Sequence, residues 1–141
     1  MNRLEDLYDL GRWIIKVFRP HISVYIVVSK NFIKVTNIEN GQTASGNAGK
    51  EFSTSRLLIA DPIIAEKLTL EFLNRVCSAM ELKTRSLKVV CHPLDNEIGN
   101  LSPAEKMIFQ DFAFQIGGRY IRIINGDKEL TLKELKMENY G

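Results

Sequence analysis

The order in which strand-like and helix-like segments follow one another is the feature that most limits the folds open to this sequence. Residues 23–28 and 32–38 are dense in Val, Ile, Tyr, Phe and Thr, a composition typical of paired strands. Residues 30–31 can form the tight turn between them, and residues 40–41 (Asn-Gly) tolerate the positive φ of a second hairpin turn. A third short strand is expected at residues 42–45. The pattern predicts a three-stranded antiparallel meander.

Downstream of the meander, helical and strand-like patterns alternate. Asp61 can cap a helix that has Pro62 in its first turn, and this helix is predicted to extend to about Met80. Its predicted buried face comprises Ile64, Leu68, Phe72, Val76 and Met80. Residues 87–91 form a short apolar run before a proline, which indicates a buried strand.

Residues 102–105 (Ser-Pro-Ala-Glu) combine a capping box with proline at the first helical position, which predicts the start of a second helix. This helix is expected to end at residues 117–118 (Gly-Gly) and to be followed by a strand at residues 120–124. Helices between strands imply parallel crossovers. In the tail, residues 129–135 alternate like a strand but also contain a Thr-x-x-Glu capping box, so both structures remain open.

Residues 4–18 have the apolar periodicity of an amphipathic helix, which Pro20 would end. This predicts an N-terminal helix over residues 1–20 and a single domain over residues 21–141. The apolar stripe needs a surface to cover it, and the alternatives are its own domain, a second copy of the chain or a lipid surface. Its mixed charge favours protein. The residues predicted to make this contact are Leu7, Trp13, Ile14, Ile15 and Phe18.

The composition excludes several classes of protein. Of the 141 residues 26% are charged, and the formal net charge of +2 is spread without basic blocks, which argues against nucleic acid as a partner. Cys77 and Cys91 lie in apolar runs without metal-type spacing, which indicates buried thiols in a reducing compartment. No apolar run approaches the ~20 residues that cross a bilayer, and no signal peptide is apparent. We expect a cytoplasmic protein, with peripheral contact at the inner membrane face as the alternative.

Several short motifs in this order resemble those of the rod-shape-determining bacterial actins, the MreB family. The similar segments are residues 59–68 (IAD followed by AEKL), 89–93 (VVCHP), the cap at 102–105 and 117–119 (GGR). The chain also resembles short stress-response proteins of the YjaA type at residues 56–66 and 99–102, except that Asn100 replaces a glycine. The first resemblance implies a ribonuclease-H-like half-domain, which actins contain twice, and the two together imply a role in cell shape or stress response.

The same resemblance makes the missing nucleotide residues informative. An actin-type ATPase opens with an Asp-x-Gly-x-x-x-Thr-like loop that cradles phosphate, whereas residues 28–32 (Val-Ser-Lys-Asn-Phe) contain neither aspartate nor glycine. The family's second phosphate loop and adenosine pocket belong to a half that is not expected here. Glu105 resembles the family's water-positioning glutamate, but helix capping is its predicted role. We expect no cofactor and no enzymatic activity.

The remaining candidate residues also favour structural roles. Cys91 and His92 are adjacent on a predicted strand and should point to opposite faces, and His21 is isolated, so no metal or nucleophile site is predicted. No pattern pairs the carboxylates Asp61, Glu66, Asp95, Glu97 and Asp111. The predicted function is a non-catalytic protein-interaction module whose partner is another protein, such as a filament protein, or a second copy. The alternatives are a nucleotide-dependent regulator completed by a partner chain, or a peripheral membrane protein acting through residues 4–18.

Overall fold

A computed structural model describes residues 21–94 and 101–138. Within those ranges the strands form one sheet in the order β3-β2-β1-β4-β5. The strands are β1 (Ile22–Ser29), β2 (Phe32–Asn37), β3 (Thr43–Asn47), β4 (Leu87–Pro93) and β5 (Gly118–Ile123). The helices are α1 (Pro62–Val76), α2 (Ala79–Thr84), α3 (Pro103–Gln115) and α4 (Leu132–Lys136).

The strand directions confirm the predicted fold class. β1, β2 and β3 pair antiparallel as a meander. β4 pairs parallel to β1, and β5 pairs parallel to β4. This mixed α/β arrangement has the element order of the ribonuclease-H-like, actin-type half-domain, with right-handed crossovers expected for each strand–helix–strand unit. The predicted N-terminal helix, residues 1–20, lies outside the described residues, so the domain division at residue 20 stays a prediction.

The two turns of the meander lie where the sequence predicts them. Asn31 has φ 55° in the β1–β2 turn and Gly41 has φ 75° in the β2–β3 turn, values that Asn and Gly adopt at low cost. The tight turns fix the register, so that Ile33 and Val35 of β2 face the helices. Lys34 occupies the opposite face, as the alternation requires.

The sheet has two differently covered faces. The helix face packs against α1 and α3, whose residues Phe72, Leu73, Phe109 and Phe112 are at most 3% exposed. The opposite side, here called the strap face, is covered by residues 125–138, which include α4 and are here called the strap. Its smaller apolar cluster consists of Tyr25, Val27, Ile38, Val90, Ile124 and Leu135.

The predicted extension of the first helix to Met80 is wrong. α1 ends at Val76, because the carbonyl of Val76 accepts a hydrogen bond from the Asn37 side chain (2.9 Å) and Cys77 is extended. Ser78 then caps the separate helix α2. Met80 is 71% exposed instead of buried. Of the other predicted face residues Phe72 and Val76 are buried and Ile64 and Leu68 are partly buried, while the sequence pattern missed Ala65, Thr69 and Leu73.

Two further segments differ from expectation or settle an open choice. β4 extends to Pro93, two residues beyond its predicted end, because its parallel pairing with β1 continues to Val28 and Pro93. Its pairing with β5 stops at Cys91, so the missing N–H of Pro93 interrupts no bond to that strand. The ambiguous tail is helical. Thr131 caps α4 by accepting a hydrogen bond from Glu134 N–H at 3.2 Å, and the Glu134 carboxylate accepts one from Thr131 N–H.

Candidate functional site

The residues predicted to make a protein contact, Leu7, Trp13, Ile14, Ile15 and Phe18, lie outside the described residues. The structure does locate the point where residues 1–20 join the fold. The His21 carbonyl accepts a hydrogen bond from the Arg85 guanidinium at 2.9 Å, and Ile22 N–H donates to the Ser86 carbonyl at 2.9 Å. The N-terminal segment therefore joins β1 beside the start of β4.

A groove of about 280 Å³ lies at this junction, between the C-terminal parts of α1 and α3 and the beginning of β4. Its lining is mostly apolar, and the apolar side chains are Leu70, Leu73, Leu82, Leu87 and Ile116. Polar lining groups are Asn74, Arg85, Ser86 and Arg119. Helix C-termini carry partial negative charge, which disfavours phosphate, and ligands of open α/β sheets bind at the opposite, carboxyl edge. The groove suits apolar protein side chains.

Arg85 braces one side of this groove. Its guanidinium pairs with both carboxylate oxygens of Glu39 and lies 3.7 Å from Glu81, and the side chain is 16% exposed. The hydrogen bonds that the Arg85 guanidinium donates to the Glu39 carboxylate are the main cause that raises the pKa of Arg85. Since Glu39 follows β2 and His21 precedes β1, this bidentate pair fixes the first strand and the N-terminal junction together.

The β1–β2 turn, Ser29–Phe32, is the turn that the family resemblance compares with a phosphate loop. Here the polar groups of Asn31 are engaged by the segment that follows β3. Its side-chain oxygen accepts from Phe52 N–H (2.9 Å) and Ser53 N–H (2.8 Å), and its own N–H donates to Ser53 Oγ at 2.9 Å. Its carbonyl accepts from Ala48 N–H at 3.1 Å. The turn is a bound anchor for residues 48–53 rather than an open cradle.

The neighbouring carboxyl end of β4 is tied to the same edge. Ser29 Oγ donates to the Leu94 carbonyl at 3.0 Å, and Leu94 N–H donates to the Val28 carbonyl at 2.8 Å. The next residues in the chain, 95–100, are outside the described ranges. The carboxyl ends of β1 and β4 are therefore joined to each other by these two hydrogen bonds.

The capping box at the start of α3 is confirmed. Ser102 Oγ accepts from Glu105 N–H at 3.2 Å, and Glu105 Oε1 approaches both the Ser102 N–H (3.5 Å) and its hydroxyl (3.0 Å). Glu105 therefore satisfies backbone donors of the first turn, where its negative charge suits the helix dipole. An anion would meet a carboxylate at this helix end.

Cys91 and His92 point to opposite faces, as predicted. Cys91 is in the helix-face core, where burial raises the pKa of its thiol to about 12, and such a thiol is unreactive. His92 is 1% exposed on the strap face. Its Nδ1 lies 2.5 Å from Tyr25 Oη and its Nε2 lies 3.1 Å from the Gly126 carbonyl. Sequence reasoning missed this pairing, although the period-2 alternation puts both residues on one face of adjacent strands.

The other candidate side chains are dispersed. His21 is exposed and its ring centroid lies 4.4 Å from that of Tyr120. Asp61 caps α1, and the pKa of Glu66 is raised by burial and then by Asp111. In residues 21–94 and 101–138 no three acidic, histidine or cysteine side chains are placed to hold a metal ion. A helix long and apolar enough to cross a membrane is likewise absent from those ranges.

Comparisons with known proteins include a structural likeness. No protein-family model matches the sequence, and no curated protein matches it significantly. The fold is similar to the crystal structure of the ethanolamine utilization protein EutJ from Carboxydothermus hydrogenoformans, with 16% sequence identity and a TM-score of 0.46. The match covers 87% of this chain but only 43% of EutJ, so the chain spans less than half the length of that protein. The fold assignment rests on the strand order and directions themselves.

Proposed function

We propose that this chain is a non-catalytic protein-interaction module, related to the rod-shape-determining bacterial actins and acting in cell shape or stress response. The observation that carries the non-catalytic part is the engagement of Asn31 by Phe52, Ser53 and Ala48. A phosphate cradle needs free backbone N–H groups that converge on the anion. At this turn the N–H of Asn31 and its side-chain oxygen already have partners.

The interaction part of the proposal rests on the groove beside His21. It combines an apolar lining with a few polar groups, the composition of a site that receives apolar side chains with a fixed orientation. Residues 4–18, which have the amphipathic sequence pattern, precede His21 in the chain, and the His21 carbonyl is bound by Arg85 of this groove. We expect a protein partner of the filament type, or a second copy, to be bound through the groove together with Leu7, Ile14 and Phe18. The expected location is the cytoplasm.

Calorimetry with Mg-ATP tests the non-catalytic part. We expect no saturable binding tighter than about 100 μM, which corresponds to roughly −5.5 kcal/mol. The matched variant is Asn31→Gly, since glycine keeps the positive φ while removing the side-chain oxygen. Binding by the unmodified protein that is lost on changing Lys30 or Asn31 would favour the nucleotide-dependent regulator instead.

Sedimentation velocity tests the interaction part, with two helix-surface variants of the full chain. Leu70→Glu places a charge in the groove, whereas Ile63→Glu is the control, because Ile63 is 75% exposed on the same helix and does not line the groove. We expect Leu70→Glu and removal of residues 1–19 each to change the solution mass or lower the solubility, and Ile63→Glu to change neither.

Flotation on vesicles of anionic lipid distinguishes the membrane alternative. If removal of residues 1–19 abolishes vesicle binding while mass, melting temperature and solubility stay the same, the segment is a membrane anchor and the protein-docking proposal is wrong. Unchanged flotation together with an altered mass supports docking on protein.

A further inference from the structure

The strap is held on its sheet face by a short chain of hydrogen bonds. Leu130 N–H donates to Tyr25 Oη at 3.1 Å, Tyr25 Oη contacts His92 Nδ1, and His92 Nε2 contacts the Gly126 carbonyl. Two backbone groups of the strap are thus bound by two side chains of the sheet. Gly126 has φ 145°, a conformation that L-residues with a side chain rarely adopt, so glycine permits this approach to His92.

The partners fix the tautomer of His92. The Gly126 carbonyl can only accept, so Nε2 carries the proton, and Nδ1 must then accept the proton of the Tyr25 hydroxyl. The Tyr25 oxygen in turn accepts from Leu130 N–H. Each polar group is satisfied only while His92 is neutral.

Protonation of His92 breaks this arrangement. With a proton on Nδ1, that nitrogen becomes a donor to Tyr25 Oη, whose two lone pairs are then used by Nδ1–H and Leu130 N–H. The phenolic proton loses its acceptor, and a cation is left in a site where His92 is 1% exposed. Both consequences carry a desolvation cost.

Away from this chain of bonds the strap packs loosely. Leu135 is its one buried side chain, and clefts of about 180 and 170 Å³ lie on either side of it, next to Ser23 and Thr36 respectively. Two ion pairs, Lys34–Glu129 (2.7 Å) and Lys88–Glu138 (2.8 Å), tie it further, and in each pair the acidic side chain is more than a third exposed. The strap therefore depends strongly on the few bonds around His92.

We propose that the strap, residues 125–138, is acid-releasable: protonation of His92 frees it from the sheet and exposes the apolar surface of Tyr25, Val27 and Val90. The released face is a new sheet surface, separate from the groove beside His21. This inference does not depend on the proposed function.

The charges around His92 do not offset its protonation. Glu129 of the strap would attract an imidazolium, but it is paired with Lys34 of β2, and Glu134 is engaged in the α4 capping box. On the same face Lys88 of β4 is paired with Glu138 of the strap, and Arg122 of β5 adds a further cation. Asp127 and Lys128, which follow Gly126 in the strap, are exposed to solvent. Burial is the main cause that lowers the pKa of His92.

The stability of the closed strap should decrease as the pH falls. In the released strap His92 regains its ordinary pKa of ~6.5, while the closed form has a lower pKa. The closed strap is therefore fully stabilised above about pH 6.5 and loses this stability as the pH falls toward the pKa of the closed form.

Amide hydrogen exchange by NMR tests the release on the full chain. The sequence has two histidines, so the variant His21→Gln leaves His92 as the single imidazole. We expect the protection factor of Leu130 to fall about tenfold between pH 7.5 and pH 5.5. The lower pH is one unit below the pKa of His92 in the released form, and each such unit favours opening about tenfold. The protection factor of Val89 in the sheet should change little. A parallel fall at both amides, or none at Leu130, overturns the proposal.

Two further measurements keep the test decisive. His92→Gln retains a donor and an acceptor without titrating in this range, so the pH dependence at Leu130 should vanish, and its persistence overturns the proposal. The His21→Gln protein also gives the His92 titration directly from its imidazole resonances, even if His92→Gln fails to fold. A pKa at or above 6.5 there would contradict release by protonation.

Discussion

The two faces of the sheet are closed in different ways. On the helix face, α1 and α3 place large side chains such as Phe72 and Phe112 against the buried residues of β1 and β4. On the strap face, the strap, which contains one short helix, covers a smaller apolar cluster. It is attached through the Tyr25–His92 pair and two ion pairs. The helix face is held mainly by the burial of a large apolar surface area, and the strap face is held mainly by specific polar contacts.

The two faces should also differ in how readily they open while the rest of the domain stays folded. The free energy gained by burying apolar side chains is proportional to the buried area and does not depend on pH. The helix face should therefore open only when the whole domain unfolds. A contact that depends on the protonation state of one side chain can open locally at lower cost. We therefore regard the sheet with α1 and α3 as a rigid platform and the strap as its adjustable part.

The largest expected effect comes from breaking the helix face. Phe72→Ala should lower the free energy of unfolding by about 3–5 kcal/mol, because it removes a ring that is 3% exposed and leaves a cavity. Chemical denaturation measures this loss. The control Ile63→Ala, on an exposed part of the same helix, should stay within ~0.5 kcal/mol of the parent. A loss below 1 kcal/mol at Phe72 would mean that the helix face is not the main core.

An intermediate effect is expected on the strap face. Tyr25→Phe keeps the ring but leaves Leu130 N–H and His92 Nδ1 without their partner, which should cost about 1–3 kcal/mol. Because the contact is local, hydrogen exchange should report the change at Leu130 more strongly than at Val89. Tyr120→Phe is the matched control, since Tyr120 is 45% exposed on β5. Equal exchange changes at both amides would contradict the local character of the strap.

The helix face could be predicted from the sequence because its signals are local. The Ser102–Glu105 box, the proline that follows Asp61 and the turn residues Asn31 and Gly41 each fix a backbone conformation within four residues. Strand and helix order then determines the parallel crossovers. The error at Met80 has the opposite origin, because the hydrogen bond from the Asn37 side chain to the end of α1 joins residues that are 39 positions apart.

The strap could not be predicted because its contacts are distant in sequence. Tyr25 and His92 are 67 positions apart, and Tyr25 and Leu130 are 105 positions apart. In residues 129–135 the alternation predicts a strand, whereas the capping box predicts a helix. The helix is the structure that forms, and its Leu135 packs against the sheet. The groove beside His21 has no sequence signal either, since its lining comes from α1, α2, the end of α3, β4 and β5.

The smallest expected effect concerns the ion pair Lys34–Glu129. Both side chains are about a third exposed, at 33% and 39%, so water and salt screen the charges, and the pair should contribute about 0–1 kcal/mol. A double-mutant cycle with Lys34→Met and Glu129→Gln isolates this coupling from the other consequences of each change. The coupling should shrink further in 0.5 M salt, whereas the cost of Tyr25→Phe should not, because that hydrogen bond is buried. If the cycle gave 2 kcal/mol or more, the ion pair would rank with the Tyr25–His92 contact as an anchor of the strap. Protonation of His92 alone would then be too small a change to release it.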